Sequence, residues 1–115
     1  MDNKQLLNLR CQHTETGMTA DEIATALQAT PGWAQDGARI AKTYQFKNYY
    51  EALAFVNAIA YVIHAEDHHP ELVLPYNRVL LRFDTHTVND GKGGISLNDF
   101  ILAAKVDAIF EQSFA

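Results

Sequence analysis

Apolar and polar positions follow two periods along this chain, and each change of period marks an element. Thr19-Ala20-Asp21-Glu22 is a capping-box pattern, Ile23, Ala26 and Leu27 follow at helical spacing, and Pro31-Gly32 closes that helix. Asp36-Gly37 lies between two extended runs and predicts a hairpin turning on that pair, since both residues tolerate positive φ. In the second arm Ile40, Tyr44 and Phe46 share a face that Lys42 interrupts. Asn48-Tyr49-Tyr50-Glu51 opens a second helix with another capping-box pattern. From Tyr49 to Ile63 its only clearly polar side chains, tyrosine hydroxyls apart, are Glu51 and Asn57. At ~100° per residue, Leu53, Phe55, Val56, Ile59, Ala60, Val62 and Ile63 spread over an arc of roughly 200°. One sheet face needs about half of that. The surplus, with Phe55 and Ile59 on its outer part, predicts burial against a second copy of the chain.

Glu71 to Tyr76 and Val79 to His86 read as two strands joined by a tight turn around Asn77. Val79, Leu81, Phe83 and Thr85 point one way; Arg78, Leu80, Arg82, Asp84 and His86 point the other. Asn89 to Gly94 is a flexible loop, without the strand-loop-helix frame or the Lys-Ser/Thr of a phosphate loop. The last helix starts at Ser96, with Asp99 in the capping-box position and Ile95 placed to staple against Phe100. Its apolar stripe is Leu97, Phe100, Ile101, Ala104 and Ala108. The order α-β-β-α-β-β-α predicts an α+β fold, a four-stranded antiparallel sheet with three helices on one face. Residues 1–17 read as a polar, disordered lead-in and 18–115 as a single domain.

Composition narrows the function. At 115 residues there is room for one core and none for a separate cofactor domain. A formal net charge of −5 argues against a nucleic-acid surface, which needs clustered Lys and Arg. Cys11 is the single cysteine, which leaves neither an internal disulfide nor a cysteine-based zinc site. No segment reaches the ~18 apolar residues of a membrane span. Met1 to His13 lacks the apolar centre of a signal peptide, so the default expectation is cytoplasmic.

Chemistry concentrates in His64-Ala65-Glu66-Asp67-His68-His69-Pro70-Glu71 and in His86, which together hold four of the five histidines. Pro70 pushes the preceding residue out of the α region, so the helix should end near His68 or His69. There the helix dipole favours a protonated imidazole. His64 and His68, one helical turn apart, could chelate zinc with His86 as third ligand. Against the zinc-protease motif, however, Glu66 stands one place late and turns off that face. His64 alone is equally explained by surface or interface packing. Acid–base work suits the cluster better, because imidazoles titrating near neutrality can donate and accept protons. With no nucleophile beside them, an elimination or hydration is favoured over covalent chemistry.

His68-His69-Pro70-Glu71, Tyr76-Asn77-Arg78-Val79, Thr85-His86 and Gly94-Ile95-Ser96-Leu97-Asn98-Asp99 resemble the signature of the pterin-4a-carbinolamine dehydratases. These are also known as dimerisation cofactors of a homeodomain transcription factor. The likeness runs from about Thr19 to Phe110. It implies dehydration of 4a-hydroxytetrahydropterin to quinonoid dihydropterin, which recycles the cofactor of aromatic amino acid hydroxylases, without metal or organic cofactor. It also implies a homodimer or homotetramer, while the net charge of −5 counts against direct nucleic-acid contact. Carried over by position, His68, His69 and His86 are the catalytic histidines, with His69, Glu71 and Asp99 binding substrate. His68 and His86 are the candidates for acid and base, and His69 for positioning the pterin. Asp99 has a competing structural explanation in the capping box. Two positions depart from the family pattern, since His64 replaces a frequent glutamate and Leu72 a tryptophan of the mammalian members, and the loop between His86 and Asp99 is longer than in the mammalian pattern. The other function the resemblance allows is a non-catalytic oligomeric interaction or regulatory protein of the same fold.

Overall fold

The computed structural model describes all 115 residues, and its elements sit where the chain can be capped, paired and buried. Helix α2 (Ala20–Gln28) is capped by Thr19, whose hydroxyl accepts from the Glu22 N–H at 3.2 Å, while Glu22 accepts the Thr19 N–H at 2.8 Å. Strands β1 (Ala34–Asp36) and β2 (Arg39–Gln45) form the hairpin, with Asp36 opposite Arg39. The turn is displaced by one residue from the expected pair. Asp36 completes the ladder, and Gly37, at φ 62°, takes the first central position, with Ala38 second. Helix α3 (Tyr49–Glu66), strands β3 (Glu71–Val73) and β4 (Arg78–Phe83), and helix α4 (Leu97–Ser113) follow. The sheet order is β1-β2-β4-β3, antiparallel throughout. At the cap of α3 only half of the capping box forms. Asn48 accepts from the Glu51 N–H, but Glu51 turns to the Lys47 N–H.

This is the α+β fold that the order of elements implied, with one helix more. Asn3–Leu7 forms α1, boxed by Asp2 and Gln5, and it packs on α4 with Leu6 fully buried. The expected disordered lead-in is therefore ordered. A five-residue helix has no stability of its own. It persists here because Leu6, with Leu7 and Leu9 beside it, joins the main core.

Ile40, Tyr44, Val79, Leu81 and Phe83 cover the inner face of the sheet, all buried, and Thr85 continues their row as the alternation predicts. Lys42 points to the same face without breaking it, because a carboxylate waits there. Asp107 of α4 accepts from Lys42 Nζ at 2.8 Å, from Trp33 Nε1 at 3.0 Å and from the Tyr44 hydroxyl. Burial, and then the Asp107 charge, push the Tyr44 phenol well above its ordinary range. The stripe expected on α4 is too narrow. Leu102, Ala103 and Val106 are buried besides Phe100, Ile101 and Ala104, since α1 and α3 both pack on this helix. Leu97, by contrast, is 37% exposed.

On α3 the outward side is not the expected one. Phe55 and Ile59 are fully buried, and the Phe55 ring lies 4.8 Å from Tyr44 and 5.3 Å from Phe46. Tyr50, Leu53, Ala54, Ala58 and Tyr61 face out instead. An arc this wide does not say which of its sides meets the sheet. Asp107→Ala should strand Lys42, Trp33 Nε1 and the Tyr44 hydroxyl without an acceptor. Urea titration should then show a loss of about 3 kcal/mol; a midpoint equal to wild type would mean that Asp107 does not tie α4 to the sheet.

Candidate active site

The site begins where α3 stops. Asp67 adopts the left-handed conformation (φ 50°), and its N–H returns to the His64 carbonyl at 3.1 Å. The helix thus ends at Glu66, slightly before Pro70 requires it to. That reversal carries His68 off the helix axis and into the protein. The imidazole lies nearly parallel to the Phe83 ring, centroids 6.0 Å apart and planes 10° apart. Its Nε2 is 2.5 Å from Asp99 Oδ1.

Asp99 is fully buried, closes the capping box weighed for it from sequence, and reaches His68 as well. Its Oδ2 accepts the Ser96 N–H at 2.8 Å, which closes the capping box of α4, and the Thr85 hydroxyl at 3.1 Å. Its Oδ1 holds His68. The Thr85 and Ser96 hydroxyls lie 2.7 Å apart. An ionised carboxylate can only accept, so the shared proton belongs on His68 Nε2, and in the neutral ring Nδ1 is free to take a proton. Thr85, read from sequence as one more inward strand position, is thus part of the site. Its only local signal was its place before His86.

His86 follows at an exposed position and lines one cavity of about 330 Å³ with His68, Thr85 and Asp67. The structure brings these two histidines together and leaves His69 apart. That imidazole is 68% exposed, 4.0 Å from Asp67 Oδ1 and outside the cavity lining. Glu71 is engaged elsewhere: its Oε1 accepts from Arg82 at 2.7 Å and from Arg39 at 3.2 Å. His64 remains exposed on α3. It forms no one-turn pair with His68, because the helix ends between them, and no group of three or more His, Cys, Asp or Glu converges as a metal cradle.

Sequence reasoning set Glu66 aside, yet it is among the most engaged groups of the molecule. Its side chain, 3% exposed, meets Arg10 Nε at 2.7 Å, Lys105 Nζ at 2.9 Å and the Cys11 N–H at 2.7 Å. Burial alone would raise this carboxyl. The Cys11 N–H, Lys105 and Arg10 outweigh it and hold the group below its ordinary value. Burial, with Glu66 beside it, pushes the Cys11 thiol up to about 12, which makes it a poor nucleophile at neutral pH. A larger cavity, about 790 Å³, lies between the N-terminal segment, α2 and the start of α4, but it holds neither His68 nor His86.

Residues 16–109 match the family model described as pterin 4 alpha carbinolamine dehydratase. A provisionally named pterin-4-alpha-carbinolamine dehydratase of Bdellovibrio bacteriovorus is 50% identical over 115 residues, 100% of this chain and 96% of that one. Another, from Dechloromonas aromatica, is 48% identical over 109 residues, 92% of this chain and 94% of its own. Among solved structures, a transcriptional coactivator/pterin dehydratase from Brucella melitensis is similar with a TM-score of 0.74 at 31% identity, covering 82% of this chain and 98% of that one.

The proton placement on His68 is open to measurement. Nitrogen-15 NMR of the neutral ring should show the Nε2–H tautomer in the wild type. Asp99→Asn should lose that preference while keeping its helix content, because an amide oxygen can still accept from Ser96. An Nδ1–H tautomer in the wild type would contradict the Asp99–His68 geometry.

Proposed function

The chain belongs to the pterin-4a-carbinolamine dehydratase family, and on that premise we propose that it removes water from a 4a-hydroxytetrahydropterin, with His68 and His86 moving the protons. The observation that carries this reading is the shared cavity of these two imidazoles, one of them oriented by a buried carboxylate. The C4a–O bond breaks and the leaving oxygen takes a proton from a protonated imidazole, departing as water. The electron pair of the adjacent ring nitrogen forms the new C=N bond. The proton on that nitrogen passes to the second imidazole, and the product is the quinonoid dihydropterin. One histidine ends the cycle neutral and the other protonated, so a proton returned between them through water resets the pair. Asp99 keeps the His68 ring in register. His69 stands beside Asp67 at the rim, where it can steady the pterin as it enters. Glu71 is given no contact with substrate, since its carboxylate is taken by arginines.

In this reading the product belongs to the recycling of the pterin cofactor of aromatic amino acid hydroxylases, in the cytoplasm. No helix of the chain is long and apolar enough to cross a membrane. A chelator should leave the rate unchanged. His68→Ala and His86→Ala should each lower turnover by about 10²-fold or more, the scale of general acid–base assistance. His69→Ala should act mainly on KM, and His64→Ala should do little. The decay of carbinolamine absorbance measures all of these, and a chelator-sensitive rate restored by zinc would reject the mechanism.

A second element of the proposal is self-association through α3. Tyr50 is 79% and Tyr61 77% exposed, with Leu53, Ala54 and Ala58 on the same outward side. That apolar surface also favours the competing reading, an interaction protein of the same fold, and the two readings are compatible. Light scattering should find a dimer or tetramer at micromolar concentration. Ala58→Glu should give smaller species with unchanged circular dichroism, whereas Phe55→Glu, deep in the subunit, should unfold it. A monomeric wild type would dispose of the interface.

A further inference from the structure

The chain before residue 16, which the family match does not include, is built into the cavity of His68 and His86. Cys11, Gln12, His13 and Thr14 form one side of it. Three side chains seat this strap. Glu66 accepts the Cys11 N–H at 2.7 Å and pairs with Arg10. Asn98 grips Gln12 in both directions, accepting its N–H at 3.1 Å and donating to its carbonyl at 2.7 Å. The Thr87 hydroxyl donates to the Thr14 carbonyl at 2.5 Å.

The placement of these anchors is not incidental to the site. Glu66 stands two residues before His68, Asn98 one before Asp99, and Thr87 one after His86. The strap is therefore tied to the same three stretches of backbone that aim the proton-transfer groups. Burying the Glu66 carboxylate is costly, and Arg10 and the Cys11 N–H share its compensation with Lys105. Gln12, whose carboxamide can both donate and accept, is among the residues that line the cavity with His68 and His86.

We propose that residues 11–14 are a substrate-positioning wall, seated by Glu66, Asn98 and Thr87, that grips the amino-oxo-pyrimidine edge of the pterin and takes no part in proton transfer. This rests on the pterin reading above, and binding is measured separately from turnover so that the two can fail separately. Full-length wild type, Glu66→Gln and Thr87→Val are compared with 7,8-dihydrobiopterin as probe. Adding the probe to wild type should slow hydrogen exchange at amides 11–14. Each variant should raise the probe's Kd and the substrate's KM about tenfold, the scale of one lost hydrogen bond, with kcat within about twofold. Circular dichroism and the fluorescence of buried Trp33 monitor the fold. Should Glu66→Gln unfold, Thr87→Val, at an exposed position, decides alone. Exchange indifferent to the probe, or a freed strap with wild-type KM, overturns the wall and leaves the dehydratase reading standing. A protected strap and weakened binding without turnover keep the wall and remove the dehydration. A wild type that neither binds the probe nor turns over overturns both.

Discussion

A carboxylate taken out of water at the start of α4 governs the arrangement of the site. Leaving Asp99 buried and unpaired would cost several kcal/mol, so every native arrangement must bring donors to it. They come from three separate stretches: the Ser96 N–H at the helix cap, the Thr85 hydroxyl just past β4, and His68 just past α3. Meeting that demand aligns the end of the helix, the end of the strand and the start of the next helix around one point. The catalytic candidate His68 is oriented as a consequence, with Phe83 of the inner sheet face supporting its ring.

Asp107 repeats the device two turns further along the same helix. It gathers Trp33, Lys42 and Tyr44 and so ties α4 to the hairpin and the sheet. Glu66 repeats it once more from α3, gathering Arg10, Cys11 and Lys105. Each of the three buried acids makes a different connection. One aims the site, one fastens the helix layer to the sheet, and one binds the N-terminal strap against the first. With these carboxylates compensated, the loop segments that carry His68 and Thr85 are pinned to the end of α3, the end of β4 and the start of α4.

Family membership and the geometry support each other at some positions and part at others. The histidine pair His68-His69 reads as a unit in the chain, but consecutive residues after a left-handed cap point in different directions, and only His68 enters the cavity. The loop between His86 and Asp99 borders the strap. A Cβ on Gly17 would lie 3.0 Å from the Asn89 side chain, and Thr87 holds Thr14. That loop thus has the N-terminal segment as a neighbour to pack against.

By itself the sequence determined whatever depends on neighbours a few residues apart. The capping boxes at Thr19 and Ser96, the alternation of Val79, Leu81, Phe83 and Thr85, and the break at Pro31 are local preferences that the structure keeps, and the hairpin turn falls within one residue of Asp36-Gly37. The spaced histidine motif was equally legible, and with it the family. Tertiary structure decided the rest. Which side of α3 meets the sheet, whether Leu6 has a core to join, and what Lys42 pairs with depend on surfaces brought together from far along the chain. His68 and Asp99 are 31 residues apart, and Cys11 and Glu66 are 55 apart. Contacts of that range leave no periodicity to read, since only the packed fold sets which donor reaches a buried carboxylate.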